Sequence, residues 1–185
     1  SPLMVLGGAG SAAGWNLSAA EALRLAADRQ ITFANPVNAA GTAADVLIAD
    51  LAMVYGTSGQ LGAGGTIKVL TPAKVTIIGK VDLTTASASD LLSIDPTRIE
   101  LIADTGGIAM HDSSGARQGR LALIGDTISI ATSALQPSLP GSANATGNSL
   151  LLGTSVAPLS DPGYLSAGTI SFAVTNGLFI QNSGT

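Results

Sequence analysis

Pairs of apolar residues separated by a single residue recur along this 185-residue chain, and they constrain its fold more than any other feature. A two-residue period places both members of a pair on one face of a β-strand, because successive side chains point to opposite faces. Glycine, aspartate, asparagine and proline, the residues that turn a chain, lie between the pairs. The pattern therefore predicts short strands joined by turns, with these pairs pointing inward: Leu23/Leu25, Ile31/Phe33, Val46/Ile48, Leu51/Met53, Ile67/Val69, Val75/Ile77, Val81/Leu83, Leu92/Ile94, Ile99/Leu101, Ile108/Met110, Leu121/Leu123, Ile128/Ile130, Leu150/Leu152, Ile170/Phe172 and Leu178/Ile180.

The spacing of these pairs predicts an all-β fold, a parallel β-helix (β-solenoid) of about six to seven rungs. Successive copies start at residues 23, 46, 67, 92, 121, 150 and 170, and intervals of 20 to 29 residues leave little room for crossover helices. A hairpin meander would favour tight two-residue turns, but only Asn176-Gly177 has the Asn-Gly form. Stacking each winding on the previous one pairs the strands in parallel and fills the interior with aliphatic side chains.

Composition agrees with this architecture and excludes several classes of function. The chain is 46% hydrophobic but only 3% aromatic, which suits a narrow aliphatic interior. We expect one β-solenoid spanning 1–185, a fragment of a larger protein, with an irregular, loop-rich region at 132–169. A net charge of −4 argues against a nucleic-acid partner. The absence of cysteine and the single histidine, His111, exclude disulfides, thiolate zinc sites and His-pair metal sites, and we expect no cofactor.

Residues 18–29 carry two conflicting signals. Ser18 and Glu21 form a capping-box pattern, and the residues that follow are acceptable in a helix. The apolar pairs within 23–33, however, repeat the eight-residue offset of the pairs within 67–77. We favour a strand over a helix at 18–29 on the strength of this repeat.

Three stretches resemble the repeats of filamentous haemagglutinin-type exoproteins and adhesins of Gram-negative bacteria: LRLAADRQITF at 23–33, LLSIDPTRIELIADTGGIAM at 91–110 and GLFIQNSGT at 177–185. In such repeats apolar-x-apolar pairs alternate with Ala or Gly and with Asp-Arg-x-Ile. The resemblance implies a right-handed parallel β-helix, secretion through a dedicated outer-membrane pore (two-partner secretion), and a role in adhesion, aggregation or biofilm formation. The family's amino-terminal secretion domain bears Asn-Pro-Asn-Gly-type motifs, and here only Asn35-Pro36-Val37-Asn38 is similar.

One cluster of polar residues is the candidate for catalysis. Parallel β-helices include polysaccharide lyases and hydrolases, and glycoside hydrolysis needs two carboxyl groups about 5–9.5 Å apart. Asp104, His111 and Asp112 are close in sequence, and if Asp104 and Asp112 project from one face, they would flank a sugar. The interpretation we favour is that they are solvated turn residues, with His111 at the end of a strand.

Together these inferences predict a non-catalytic structural and adhesive module of a secreted or surface-attached bacterial exoprotein. The expected partners are a receptor or glycan on a host or neighbouring cell and the outer-membrane secretion pore. Open strand edges at the ends of the stack also invite end-to-end self-association. The alternative is a carbohydrate-active β-helix enzyme, which would require a groove with clustered carboxylates.

Overall fold

The computed structural model describes residues 3–8, 14–37, 41–102, 107–132 and 165–182. Among these residues no helix is both long and apolar enough to cross a membrane. The elements, in chain order, are β1 (Met4–Leu6), β2 (Trp15–Leu17), α1 (Ala19–Ala22), β3 (Gln30–Ala34), β4 (Val46–Ile48), β5 (Leu51–Val54), β6 (Thr66–Ile77), β7 (Lys80–Thr84), β8 (Leu91–Ile102), β9 (Gly107–His111), β10 (Arg120–Thr132), β11 (Leu165–Ser166) and β12 (Thr169–Asn182).

These strands form two sheets, and every pairing between them is parallel. In the first sheet the strand order is β12-β10-β8-β6-β4-β1-β2, and β3 also pairs with β6. The second sheet has the order β11-β9-β7-β5. Because tight hairpins join antiparallel strands, this arrangement excludes a hairpin meander for the described strands.

Equivalent apolar residues of the long strands lie side by side. Ile67 of β6 is in register with Leu92 of β8, and Leu92 is in register with Leu121 of β10. The same ladder reaches Ile31 of β3 at one end and Ile170 of β12 at the other. Since adjacent strands are about 4.8 Å apart, the aliphatic side chains pack one on the next from strand to strand.

Most of the predicted inward residues that the structure describes form the core, whereas Leu178, at the end of the stack, is 41% exposed. Leu92, Ile94, Ile128 and Ile130 are 3%, 0%, 0% and 1% exposed. Their cluster also contains the apolar residues of β5, β7 and β9, so the two sheets share one interior. The expectation of an all-β, parallel fold with alternating inward aliphatic residues is therefore confirmed for the described residues.

Buried polar groups fasten the turns between strands. The carboxylate of Asp90, which is 0% exposed, accepts hydrogen bonds from the main-chain N–H groups of Gly64 (2.5 Å), Ala86 (2.7 Å) and Ser87 (2.9 Å). Gly64 has a φ of 76°, in the left-handed region that favours glycine. A buried carboxylate requires such donors. Asp90 thus ties the turn that precedes β6 to the turn that precedes β8.

The strand predicted across residues 18–29 is wrong. Ala19–Ala22 form helix α1, in which the N–H of Glu21 donates to the Ser18 hydroxyl oxygen and the Glu21 carboxylate accepts from the N–H of Ser18. These reciprocal bonds satisfy main-chain donors within the segment itself, without a neighbouring strand. Leu23, which the alternation placed inward, is 51% exposed. Local capping therefore outweighs the apolar alternation here.

The register inferred from the repeat also needs correction. Val46 does not begin a winding of its own, because it is in register with Val75, which belongs to the second apolar pair of β6. Both β3 and β4 therefore pair with the single long strand β6. The start predicted at 150 and most of the loop-rich region at 132–169 lie outside the described residues.

Candidate functional site

His111, one of the predicted site residues, lies at the end of β9 as expected. Its Nε2 atom is 2.6 Å from Oδ1 of Asp82, and its Nδ1 atom is 2.8 Å from the main-chain oxygen of Asp112. Asp82 belongs to β7, the neighbouring strand, where it is in register with Ala109. The side chain of His111 is 14% exposed and that of Asp82 is 45% exposed. The imidazole ring is thus largely covered, while its carboxylate partner faces solvent.

Asp112 uses its carboxylate to close its own turn. Oδ1 accepts hydrogen bonds from the N–H of Ser114 (2.8 Å), from the hydroxyl of Ser114 (2.6 Å) and from the N–H of Ala116 (3.0 Å). These bonds stabilise the ionised carboxylate and lower the pKa of Asp112. The bond from the Ser114 hydroxyl has the largest effect, followed by the bond from the Ser114 N–H. Asp104, the third predicted site residue, lies outside the described residues.

The two oxygen atoms that face the His111 ring are both acceptors when Asp82 is ionised. A carbonyl oxygen and a carboxylate oxygen only accept hydrogen bonds, so both ring nitrogens can donate only when the imidazole is protonated. Partial burial of the ring lowers the pKa of His111, but the hydrogen bonds to Asp112 and Asp82 and the charges of these residues outweigh burial and raise it. The geometry therefore favours an imidazolium–carboxylate pair.

These two contacts hold the imidazole ring in place. A general base needs a ring nitrogen within reach of the proton it abstracts, whereas both nitrogens of His111 already face protein oxygen atoms. Within the described ranges, no group of three or more His, Cys, Asp or Glu side chains is placed to hold a metal ion. The His111–Asp82 pair fastens the end of β9 to β7.

A shallow groove of about 730 Å³, here named the strand groove, crosses the four long strands β6, β8, β10 and β12. It lies where the strand register shifts, between Thr71 and Lys74 of β6 and between Gly125 and Thr127 of β10. Hydroxyl, carboxylate and apolar side chains line it together, among them those of Thr71, Asp95, Ile124, Asp126, Phe172 and Thr175.

The carboxylates of the strand groove are tied to neighbouring strands. Oδ2 of Asp95 is 3.6 Å from Nζ of Lys68, and Oδ1 of Asp126 accepts a hydrogen bond of 2.7 Å from the hydroxyl of Thr175. Beside them Ile124 is 36% exposed. The groove thus offers an apolar contact next to carboxylate and hydroxyl groups that a polar ligand can reach.

Sequence reasoning missed both Asp82 and the strand groove. Asp82 and His111 are 29 residues apart, and only the pairing of β7 with β9 brings them together. The groove did leave a signal, because a proline or glycine break separates the two apolar pairs of successive long strands. These breaks are Thr71-Pro72, Pro96-Thr97 and Gly125-Asp126.

Comparison of the chain with protein-family models, with curated proteins and with solved structures gives no match. Among the described residues, the His111–Asp82 pair and the strand groove are the two features that bear on chemistry or binding.

Proposed function

We propose that this chain is a right-handed parallel β-helix that serves as a non-catalytic structural and adhesive module of a secreted or surface-attached exoprotein. The resemblance of residues 23–33, 91–110 and 177–185 to filamentous haemagglutinin-type repeats supports the class of protein. Export through an outer-membrane pore of the two-partner type is part of the same proposal. The hand is supported by the general preference of parallel strand connections for right-handed crossovers.

The observation that carries the proposal is the ladder of aliphatic residues across parallel strands. The chain passes from β6 to β7 and then from β8 to β9, while β6 pairs with β8 and β7 pairs with β9. A chain that returns to the same two sheets, one strand further on each time, is expected to wind around its core. Such a stack grows by adding windings and carries its contacts on the outside, which suits an adhesive spacer.

The polar residues of the predicted site support a structural role over a catalytic one. His111 bonds to Asp82 and to the main chain of Asp112, and the Asp112 carboxylate closes its own turn. We assign adhesion to the strand groove, where Ile124 lies beside the carboxylate of Asp126. The proposed partner is a receptor or glycan on a host or neighbouring cell.

Attachment of beads coated with the purified chain to cells tests the adhesive role. We expect beads carrying the folded chain to bind cells, or to aggregate bacteria, more than beads carrying heat-unfolded chain. Ile124→Lys in the strand groove should reduce attachment, whereas Leu23→Lys, at an exposed leucine outside the groove, should not. Equal attachment of folded and unfolded chain would contradict adhesion, and equal loss in both variants would contradict the groove as the contact surface.

A carbohydrate-active β-helix enzyme is the alternative, and the close His111–Asp82 contact is the observation in its favour. Incubation with acidic polysaccharides, followed by measurement of new reducing ends or unsaturated products, distinguishes the two functions. Turnover that is abolished by Asp104→Asn and retained by the exposed Asp28→Asn variant would replace the adhesive proposal. Absence of product with the unmodified chain would support the non-catalytic role.

A further inference from the structure

The strand β12 forms one end of the first sheet, and within the described residues it pairs on one side only, with β10. Two of its apolar residues are less covered than their partners in β10. Leu178 is 41% exposed, whereas Ile128, in register with it, is 0% exposed. Phe172 is likewise only partly buried beside the buried Leu123. The outer edge of β12 therefore carries partly exposed apolar side chains. Its main-chain N–H and C=O groups on that side have no strand partner among the described residues.

The side chains of β12 differ from those of the other long strands. Its fourteen residues, TISFAVTNGLFIQN, include neither a charged residue nor a proline. The sequences of β6, β8 and β10, TIKVLTPAKVTI, LLSIDPTRIELI and RLALIGDTISIAT, all contain charged residues. Edge strands of natural proteins usually carry charges or proline, which prevent pairing with another chain. The composition of β12 suits an edge that another strand covers.

Within the part of the chain that the structure describes, the opposite end of the stack does not offer a matching edge. There the first sheet ends with β2, which has three residues, while β3 lies directly against β6 and leaves the end stepped. Helix α1 begins two residues after β2, and Trp15 and Leu23 are 49% and 51% exposed. The described strands with an open edge at this end are β3, with five residues, and β2, with three, and they lie on different levels of the stack. Head-to-tail stacking of two copies would therefore give the fourteen residues of β12 no single continuous partner among the described strands.

We propose that two copies of this chain associate tail to tail, with β12 of one copy pairing antiparallel to β12 of the other around a two-fold axis at Thr175. A two-fold interface presents the same surface twice, and identical edge strands related by such an axis run antiparallel. Phe172 and Leu178, in register with the buried Leu123 and Ile128, lie three residues before and three residues after Thr175. The axis thus places Phe172 of each copy opposite Leu178 of the other. The inference depends on the strand order and on β12, and not on the adhesive role.

Sedimentation velocity of the full chain over a concentration series tests the association. We expect a monomer–dimer equilibrium in which Leu178→Lys weakens dimerisation at least about tenfold, because a charge replaces a central apolar contact. Leu23→Lys makes the same change at a similarly exposed leucine at the opposite end, and it should leave dimerisation unchanged. Circular dichroism establishes that both variants fold. A chain that stays monomeric at every concentration, or a dimer that Leu23→Lys weakens as much as Leu178→Lys, would overturn the proposal.

Cross-linking tests the position of the axis. The chain has no cysteine, so Thr175→Cys introduces a single thiol. Residues directly opposite in antiparallel strands have Cα atoms about 4.5–5.5 Å apart, within the range that a disulfide spans. We expect mild oxidation to convert this variant to a covalent dimer, and to leave Thr57→Cys, an exposed turn position, mostly monomeric. Equal yields from the two variants would refute the antiparallel arrangement at Thr175.

Discussion

Replacing Ile94 by alanine should destabilise the fold by about 4 kcal/mol, because its side chain is 0% exposed in the middle of the stack. Ile94 is in register with Val69 on one side and with Leu123 on the other, and both are buried. The substitution removes three carbon atoms, whose exposure to water accounts for about 2.4 kcal/mol at about 0.8 kcal/mol per methylene. The space left behind adds about 1–2 kcal/mol, since strands fixed on both sides collapse only partly.

Ile124→Ala is the matched control, because it removes the same atoms from a residue that is 36% exposed. Only about two thirds of the transfer free energy of about 2.4 kcal/mol applies there and water fills the space, so we expect a loss of about 1.6 kcal/mol. Urea unfolding followed by circular dichroism measures both losses, and a lower midpoint at an unchanged m value isolates the change in stability. If Ile94→Ala is no more destabilising than Ile124→Ala, Ile94 does not point into a packed interior and the reasoning is wrong.

Further substitutions probe the groups that hold turns and strand ends. Asp90→Ala leaves three main-chain N–H groups without their acceptor and should lower the free energy of unfolding in urea by more than about 3 kcal/mol. The surface variant Asp95→Ala should lower it by less than about 1 kcal/mol. Equal losses in the two variants would contradict the role of Asp90 in joining the two turns. The pKa of His111 is raised in the folded chain, so its contribution to stability is complete below about pH 6.5 and is lost as the pH rises through the folded value. His111→Gln should abolish this pH dependence of the urea midpoint, and an unchanged profile would refute the pairing with Asp82. Tyr55→Phe removes the buried hydrogen bond of 2.8 Å from the Tyr55 hydroxyl to the main-chain oxygen of Leu91. The free energy of unfolding should fall by about 1–2 kcal/mol, which lowers the thermal midpoint. An unchanged midpoint would show that this bond does not contribute to stability.

The inward residues could be predicted from sequence because burial on a strand follows a local period of two. The alternation alone predicts that Leu92, Ile94 and Ile128 point inward, without information on which strands lie beside them, and all three are buried. The pattern does not say which strand a pair joins, however, since every apolar pair looks alike. The pattern therefore predicts a winding that starts at Val46, although Val46 pairs with the second half of β6.

The helix at Ala19–Ala22 shows where the period fails. Leu23 and Leu25 satisfy the alternation, but Ser18 and Glu21 make reciprocal hydrogen bonds over three residues that form without any partner strand. The sequence contains both signals. The capping box determines the structure here because its hydrogen bonds form within the segment, whereas an apolar pair is buried only where neighbouring strands cover it.

The candidate site was less predictable than the core, because its contacts cross between windings. His111 was correctly placed at a strand end, yet its partner Asp82 depends on the register of β7 against β9. Asp112 was expected in a turn, and its bonds to Ser114 agree with that expectation. Side-chain chemistry of this kind follows from the register, and the register follows from the stacking of strands.

Nuclear Overhauser contacts between main-chain protons of Ser93 and its neighbours test the stacking of strands directly. Ser93 of β8 is in register with Lys68 of β6 and with Ala122 of β10. With parallel strands about 4.8 Å apart, we predict contacts from Ser93 to both residues, repeated in the same direction at each following position. Contacts to only one of them, or contacts that run in antiparallel order, would contradict the parallel stack on which the fold and both proposals depend.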